Sequence, residues 1–280
     1  MADKKEKKVS NKIYYIIIFG IAFMASALFA GFFISRNTGG VISFIHELMG
    51  EKNTGEVYAV SSAESPVSGA GMEPAIPYGI VPESSEVPQS YFKDSLFIGD
   101  SLTHGMRDYG VMSYNNVIAY SGVRMEAAVD EKLFQNDEGD TFTIAEASRA
   151  YAPEQIYIML GANSISSLEP QSIIDLYRRL VEDLKTAHPE SRILIQSILP
   201  VTTSYEQIYP DHSNAKIDEV NYLLIDMCKQ MGLYYINVQA EFRDTSGGLI
   251  QEYTSGDGLH LNPEGYAVWT AYLQSHVVEN

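Results

Sequence analysis

Hydrophobic positions along the chain fall into two textures. Residues 13–35 form an unbroken uncharged run, IYYIIIFGIAFMASALFAGFFIS, whose 23 residues suffice to cross a hydrocarbon core as a helix. From Asp94 onward, short apolar runs alternate with longer stretches whose apolar positions recur at helical spacing. Residues 95–99, 116–120, 155–160, 192–198 and 233–238 read as buried strands. Residues 171–187, 214–231 and 263–278 read as helices, the last opened by Asn262 as N-cap and Pro263 at the first helical position. This alternation predicts an α/β three-layer sandwich around a central parallel sheet of about five strands. In such folds ligands gather at the carboxyl ends of the strands.

Between the two textures lies a segment of different character. Residues 41–49 (VISFIHELM) suit a short amphipathic helix. Residues 51–90 are rich in Ser, Pro, Gly and Glu and lack a hydrophobic period, so they read as a linker. The chain thus divides into a basic tail at 1–12, a transmembrane helix at 13–35, a juxtamembrane segment and flexible linker at 36–90, and a folded domain at 91–280. The competing reading of the apolar run is a cleaved signal peptide, because Ala25-Ser26-Ala27 resembles a cleavage site. The run continues through Phe33 and Ile34, further than a signal needs, which favours an uncleaved anchor. Internal repeats are not evident.

Charge supports that arrangement. The formal net charge is -17, yet residues 1–12 carry five Lys against Asp3 and Glu6. By the positive-inside rule the tail faces the cytoplasm and everything after Arg36 lies outside. No basic stripe follows Arg36, so nucleic acid is excluded as a partner. The single cysteine, Cys228, sits within a predicted helix face and reads as a small buried hydrophobe. It permits neither an intrachain disulfide nor a cysteine-based zinc site.

The candidate chemistry sits where the pattern places strand ends. Gly99-Asp100-Ser101-Leu102 follows the first predicted strand directly, which puts Ser101 at the start of a helix with unpaired N–H groups nearby. By itself Ser101 reads equally as a helix N-cap. Asp257-Gly258-Leu259-His260 lies just before the last helix, with Asp257 close enough to orient the imidazole. Serine needs such a base to act as a nucleophile. Gly122 follows the second strand and Asn163 the third, on the same edge as Ser101. One offers a backbone N–H and the other a side-chain amide, although each alone also suits an ordinary turn or loop. Together with the Ser101 N–H they make a three-donor oxyanion hole.

These four ordered blocks resemble the SGNH (GDSL) hydrolase family over about residues 94–278. The matching residues are Gly99-Asp100-Ser101-Leu102, Gly122, Gly161-x-Asn163 and Asp257-x-x-His260-Leu261, with Gln196-Ser197-Ile198-Leu199-Pro200 similar to the fourth strand and its exit. The order Ser, Asp, His is one that known triads use, and the absence of Gly-x-Ser-x-Gly sets aside the nucleophile elbow of ordinary α/β-hydrolases. The family often has Asp after the asparagine, where this chain has Ser164. Restoring Asp there is expected to keep the mechanism and alter at most the substrate ranking.

The resemblance implies a flavodoxin-like SGNH fold and a serine esterase without metal or organic cofactor. Ser101 is then the nucleophile, His260 its general base and Asp257 the orienting acid. Ser101, Gly122 and Asn163 supply the oxyanion hole. His104, within the helix that Ser101 opens, reads as a helix residue rather than a second base. A domain held outside the membrane meets cell-surface glycans first, so a short-chain, acetyl-type ester on carbohydrate is the expected substrate. Tyr205 and Tyr209 offer aromatic faces for sugar rings. Arg124 suits an anionic group but also reads as a solvated surface residue. Two further functions use the same chain. One is an O-acyltransferase fed by a membrane partner that supplies the donor, and the other is a catalytically idle glycan-binding domain, disfavoured because all four chemical positions are retained.

Overall fold

The computed structural model of the protein describes residues 78–113 and 116–278. The expected basic tail, membrane span and juxtamembrane helix lie outside them. Among the described residues no helix is long and apolar enough to cross a membrane.

Among the described residues eight strands form, β1 (Gly79–Ile80), β2 (Ser95–Gly99), β3 (Val117–Ala119), β4 (Phe134–Gln135), β5 (Thr141–Phe142), β6 (Gln155–Met159), β7 (Arg192–Gln196) and β8 (Tyr234–Ile236). Six of them make one parallel sheet in the order β1-β8-β7-β6-β2-β3, while β4 and β5 form a separate antiparallel pair. The helices are α1 (Ser101–Asp108), α2 (Met125–Asp130), α3 (Ile144–Ser148), α4 (Pro170–Ala187), α5 (Thr203–Ile208), α6 (Asn214–Met231) and α7 (Pro263–Gln274).

The period-2 alternation of a strand sends successive side chains to opposite faces. Ile98, Ile156, Ile158, Ile193, Ile195 and Tyr235 therefore share one core with residues of α2, α4 and α6. Phe97, Tyr157, Leu194 and Ile236 face the other way, into a core closed by α1 and α7. Because both faces are covered, the strands read as continuous apolar runs. Phe97 stacks on Tyr157 with ring centroids 4.7 Å apart, and the buried Trp269 of α7 donates its indole N–H to Gln196 Oε1 at 2.8 Å.

Two expectations are corrected. The parallel sheet has six strands, not about five. The sixth, β1, lies within the stretch read as linker, and a two-residue strand is too short to leave a periodic signal. Val81 is buried and donates its N–H to Tyr235 O at 2.8 Å, so packing on the sheet begins before residue 91. The last helix ends at Gln274 rather than at residue 278. The apolar Val277 and Val278 prolong the helical pattern, but they are buried off the helix. The Val278 carbonyl accepts from Tyr91 Oη at 3.1 Å, and the Val277 N–H donates to Ser84 Oγ at 3.2 Å. Side-chain partners outside the helix thus win over continuation of the helical ladder.

Candidate active site

Strand order assembles the site. β2 lies between β6 and β3, so the chain leaving β2 is flanked by the loops leaving those two strands. Gly99 ends β2 where a side chain has no room, since a Cβ would come within 2.6 Å of the Met159 carbonyl oxygen. Asp100 caps α1 through the Leu102 N–H, which donates to its Oδ1 at 3.0 Å. Ser101 is thus the first residue of α1, where N–H groups have no partner within the helix. Asp100, not Ser101, is the N-cap, which frees the serine hydroxyl for other chemistry.

That hydroxyl meets His260. Ser101 Oγ lies 2.9 Å from His260 Nε2, and His260 Nδ1 lies 2.6 Å from Asp257 Oδ2. The short loop before α7 makes this possible. Asp257 Oδ1 accepts from the Leu259 N–H at 2.9 Å and the His260 N–H at 2.8 Å, so one carboxylate shapes the turn and orients the ring. Gly258 has a φ of +83°, and a Cβ there would lie 2.4 Å from Thr202 Oγ1. Its carbonyl accepts from the Thr202 N–H at 2.9 Å, tying the loop to the segment after β7. Partial burial of Asp257 opposes its ionised form. The bonds from the His260 side chain and from the Leu259 and His260 amides outweigh that and hold the carboxyl below its ordinary value.

The other predicted positions fall on the same edge. Gly122 has a φ of +74° in the turn after β3, closed by the Val123 N–H on Tyr120 O at 3.2 Å. The Tyr120 N–H in turn donates to Gly99 O at 3.2 Å, which joins this turn to the end of β2. Asn163 lies in the 3-10 turn Ala162–Ser164 after β6, and its Nδ2 donates to Asp100 Oδ2 at 3.3 Å.

Several side chains have other occupations. His104 Nδ1 lies 3.2 Å from Asp108 Oδ2 on its own helix. Arg124 bonds Ser167 Oγ and lies 3.4 Å from Glu126 Oε1. Cys228 is buried, and burial pushes its thiol up to about 12, which makes it inert. Tyr205 on α5 lies beside the Gly258 turn, and its ring centroid is 4.7 Å from that of Tyr209 just after the helix. Among the described residues no group of three or more His, Cys, Asp or Glu side chains is placed to hold a metal ion.

Asp100 is the residue of the candidate site that sequence reasoning did not single out. Read only as part of the serine block, it is in fact 1% exposed and bridges the helix cap and Asn163. Its signal was an acid placed directly between a buried strand and a helix. Burial raises its carboxyl from 3.8 to about 6, against the Leu102 N–H bond and the nearby His260. The folded state therefore keeps a proton that the unfolded chain releases. The contribution of Asp100 to stability is lost as pH rises from 3.8 to about 6, by about 3 kcal/mol at full extent.

Asp100→Asn removes that slope. Urea unfolding at pH 4.5 and pH 8 is expected to show the variant losing less stability between the two than wild type. An Asn keeps the Leu102 bond but turns its own amide toward Asn163, so turnover falls. An unchanged slope means that Asp100 does not titrate in this window.

Residues 97–268 match the GDSL-like lipase/acylhydrolase family. Similar solved structures include a Streptococcus pneumonia protein provisionally described as a platelet activating factor, with 24% identity, a TM-score of 0.52, and coverage of 65% of this chain and 82% of that one. Another is a Desulfitobacterium hafniense protein provisionally described as a lipolytic protein of the G-D-S-L family, with 14% identity, a TM-score of 0.50, and coverage of 65% and 98%. A comparison with curated proteins found no match. Sheet, serine turn and histidine loop define an ester hydrolase of the SGNH type. The chain belongs to the GDSL-like lipase/acylhydrolase family.

Proposed function

We propose that the protein is an extracytoplasmic serine esterase, anchored through residues 13–35, that hydrolyses short-chain and chiefly acetyl esters on cell-surface carbohydrate. The observation that carries the reading is the unbroken path from Ser101 Oγ through the His260 ring to the Asp257 carboxylate. His260 Nε2 takes the serine proton as Oγ attacks the ester carbonyl. The developing oxyanion is held by the N–H groups of Ser101 and Gly122 and the Asn163 amide. His260 then hands its proton to the leaving alcohol, and the acyl-serine is released by water that the same ring activates. Asp257 keeps Nδ1 protonated and the ring in place.

Water access favours hydrolysis over acyl transfer. The His260 side chain is 42% exposed and that of Asp257 49% exposed, so solvent reaches the base that must activate it. The same openness admits an ester carried on a polymer, and Tyr205, beside the Gly258 turn and packed on Tyr209, offers an aromatic face suited to a sugar ring.

The test is acetate release from 4-nitrophenyl acetate and from an O-acetylated polysaccharide, by membranes carrying the full chain or its Ser101→Ala variant. Release from both substrates that depends on Ser101 is expected. Acetyl groups appearing on an added glycan instead of in solution would make the protein a transferase. Activity confined to the soluble fraction would remove the anchor.

A further inference from the structure

The two flanking oxyanion donors come from loops that the sheet does not hold together. β3 and β6 each pair with β2, not with each other, so no ladder hydrogen bond sets the spacing between the Gly122 turn and the Asn163 turn. A side-chain circuit does so instead. α2 begins directly after the Gly122 turn, and its own N-cap, Arg124, makes no side-chain cap bond. The Met125 N–H, one of the unpaired donors at that helix start, is taken by Ser164 Oγ at 2.9 Å. Ser164 is fully buried in the Asn163 turn, and its hydroxyl donates in the other direction to Glu126 Oε2 at 3.4 Å. Glu126 Oε1 lies 3.4 Å from Arg124 Nη2, which also donates to Ser167 Oγ. Ser167 Oγ closes the circuit on the Ser164 carbonyl at 3.2 Å.

We propose that Ser164 is a positioning residue that sets the distance between the Gly122 and Asn163 donors, with the Glu126 side chain accepting its hydroxyl proton. This rests on the esterase reading above. It also accounts for the departure from the family pattern at this position. A hydroxyl can accept from Met125 and donate to Glu126 at once, whereas an ionised Asp can only accept. Asp at 164 would be a buried charge facing the half-exposed Glu126 carboxylate, so it loses hydration and meets a like charge at once. The geometry therefore reverses the expectation that Ser164→Asp is harmless.

The test combines amide exchange of the Met125 N–H with steady-state kinetics on 4-nitrophenyl acetate, for Ser164→Ala, Ser164→Asp, Glu126→Gln and the double variant Ser164→Asp/Glu126→Gln. In Ser164→Ala the Met125 amide loses protection. Turnover falls about tenfold with a nearly constant Michaelis constant, less than the roughly 10²-fold worth of a whole donor, because a misplaced donor fails mainly in the transition state. Ser164→Asp loses at least as much. Glu126→Gln, whose amide oxygen still accepts from Ser164, loses little. The double variant recovers most of the loss, since a Gln amide can donate to the new carboxylate.

Unchanged Met125 exchange in Ser164→Ala overturns the clamp. Lost Met125 protection with intact turnover overturns its role in the oxyanion hole, as does a folded double variant no better than Ser164→Asp. Wild-type turnover that does not depend on Ser101 sinks the esterase reading instead, and the exchange arm still decides whether the clamp exists.

Discussion

Turnover of an aryl acetate is expected to fall on the order of 10⁴-fold or more in Ser101→Ala, and by a comparable factor in His260→Ala. Both residues serve one proton transfer. Ser101 Oγ lies 2.9 Å from His260 Nε2, so removing either leaves the other with nothing to do. For that reason Ser101→Ala/His260→Ala should be hardly worse than either single change, which steady-state rates of the three variants will check. Asp257→Asn should cost less than His260→Ala. An Asn carbonyl keeps the bonds to the Leu259 and His260 amides, but its amide then faces Nδ1 and favours the wrong tautomer, so the loss is large while the ring itself remains in place. A serine-directed organophosphorus reagent should label Ser101 in the wild-type chain and nothing in Ser101→Ala. Labelling of a different serine in active protein would move the nucleophile elsewhere.

Asn163→Ala should lower turnover roughly 10²-fold while leaving the Michaelis constant nearly unchanged. The side-chain amide gains its full worth only when negative charge has moved onto the carbonyl oxygen. Its aim is set in advance by Asp100, whose Oδ2 accepts from Asn163 Nδ2 at 3.3 Å. The donor thus pays no reorganisation at the moment of reaction. Kinetics on one ester separate the alternatives. A normal turnover with a weakened Michaelis constant would make Asn163 a substrate-binding residue and put the oxyanion hole elsewhere. Combining Asn163→Ala with Asp100→Asn should add little to the loss in turnover, because Asp100 acts there through Asn163.

Much of the fold was legible because its strands are buried on both faces. Residues such as Phe97, Ile98, Tyr157 and Ile158 have no solvent side, so each strand appears as an apolar block of its own. α4 and α6 begin and end within a residue of where apolar spacing and caps placed them. The small elements were not legible. α2, α3 and α5 span six, five and six residues, too few for a helical period to emerge. β1 has two residues and is held by its partner β8 rather than by any preference of its own.

The site divides along the same line. Ser101, Gly122, Asn163, Asp257 and His260 could be named as candidates because each sits at a strand end or loop marked by its neighbours, and the chemistry of serine activation calls for those residue types. Local sequence also determined the Asp257–His260 pairing, since only Gly258 and Leu259 separate them and one carboxylate reaches both the ring and the turn's amides. Tertiary structure alone decided that β2 lies between β3 and β6, that His260 reaches Ser101 across 159 residues of chain, and that Asp100 holds Asn163. It also decided that Ser164 and Glu126 meet. Such pairings depend on strand order and loop-to-loop distance. Parallel strands joined by crossover helices bring together residues far apart in the chain, and no local pattern encodes that distance.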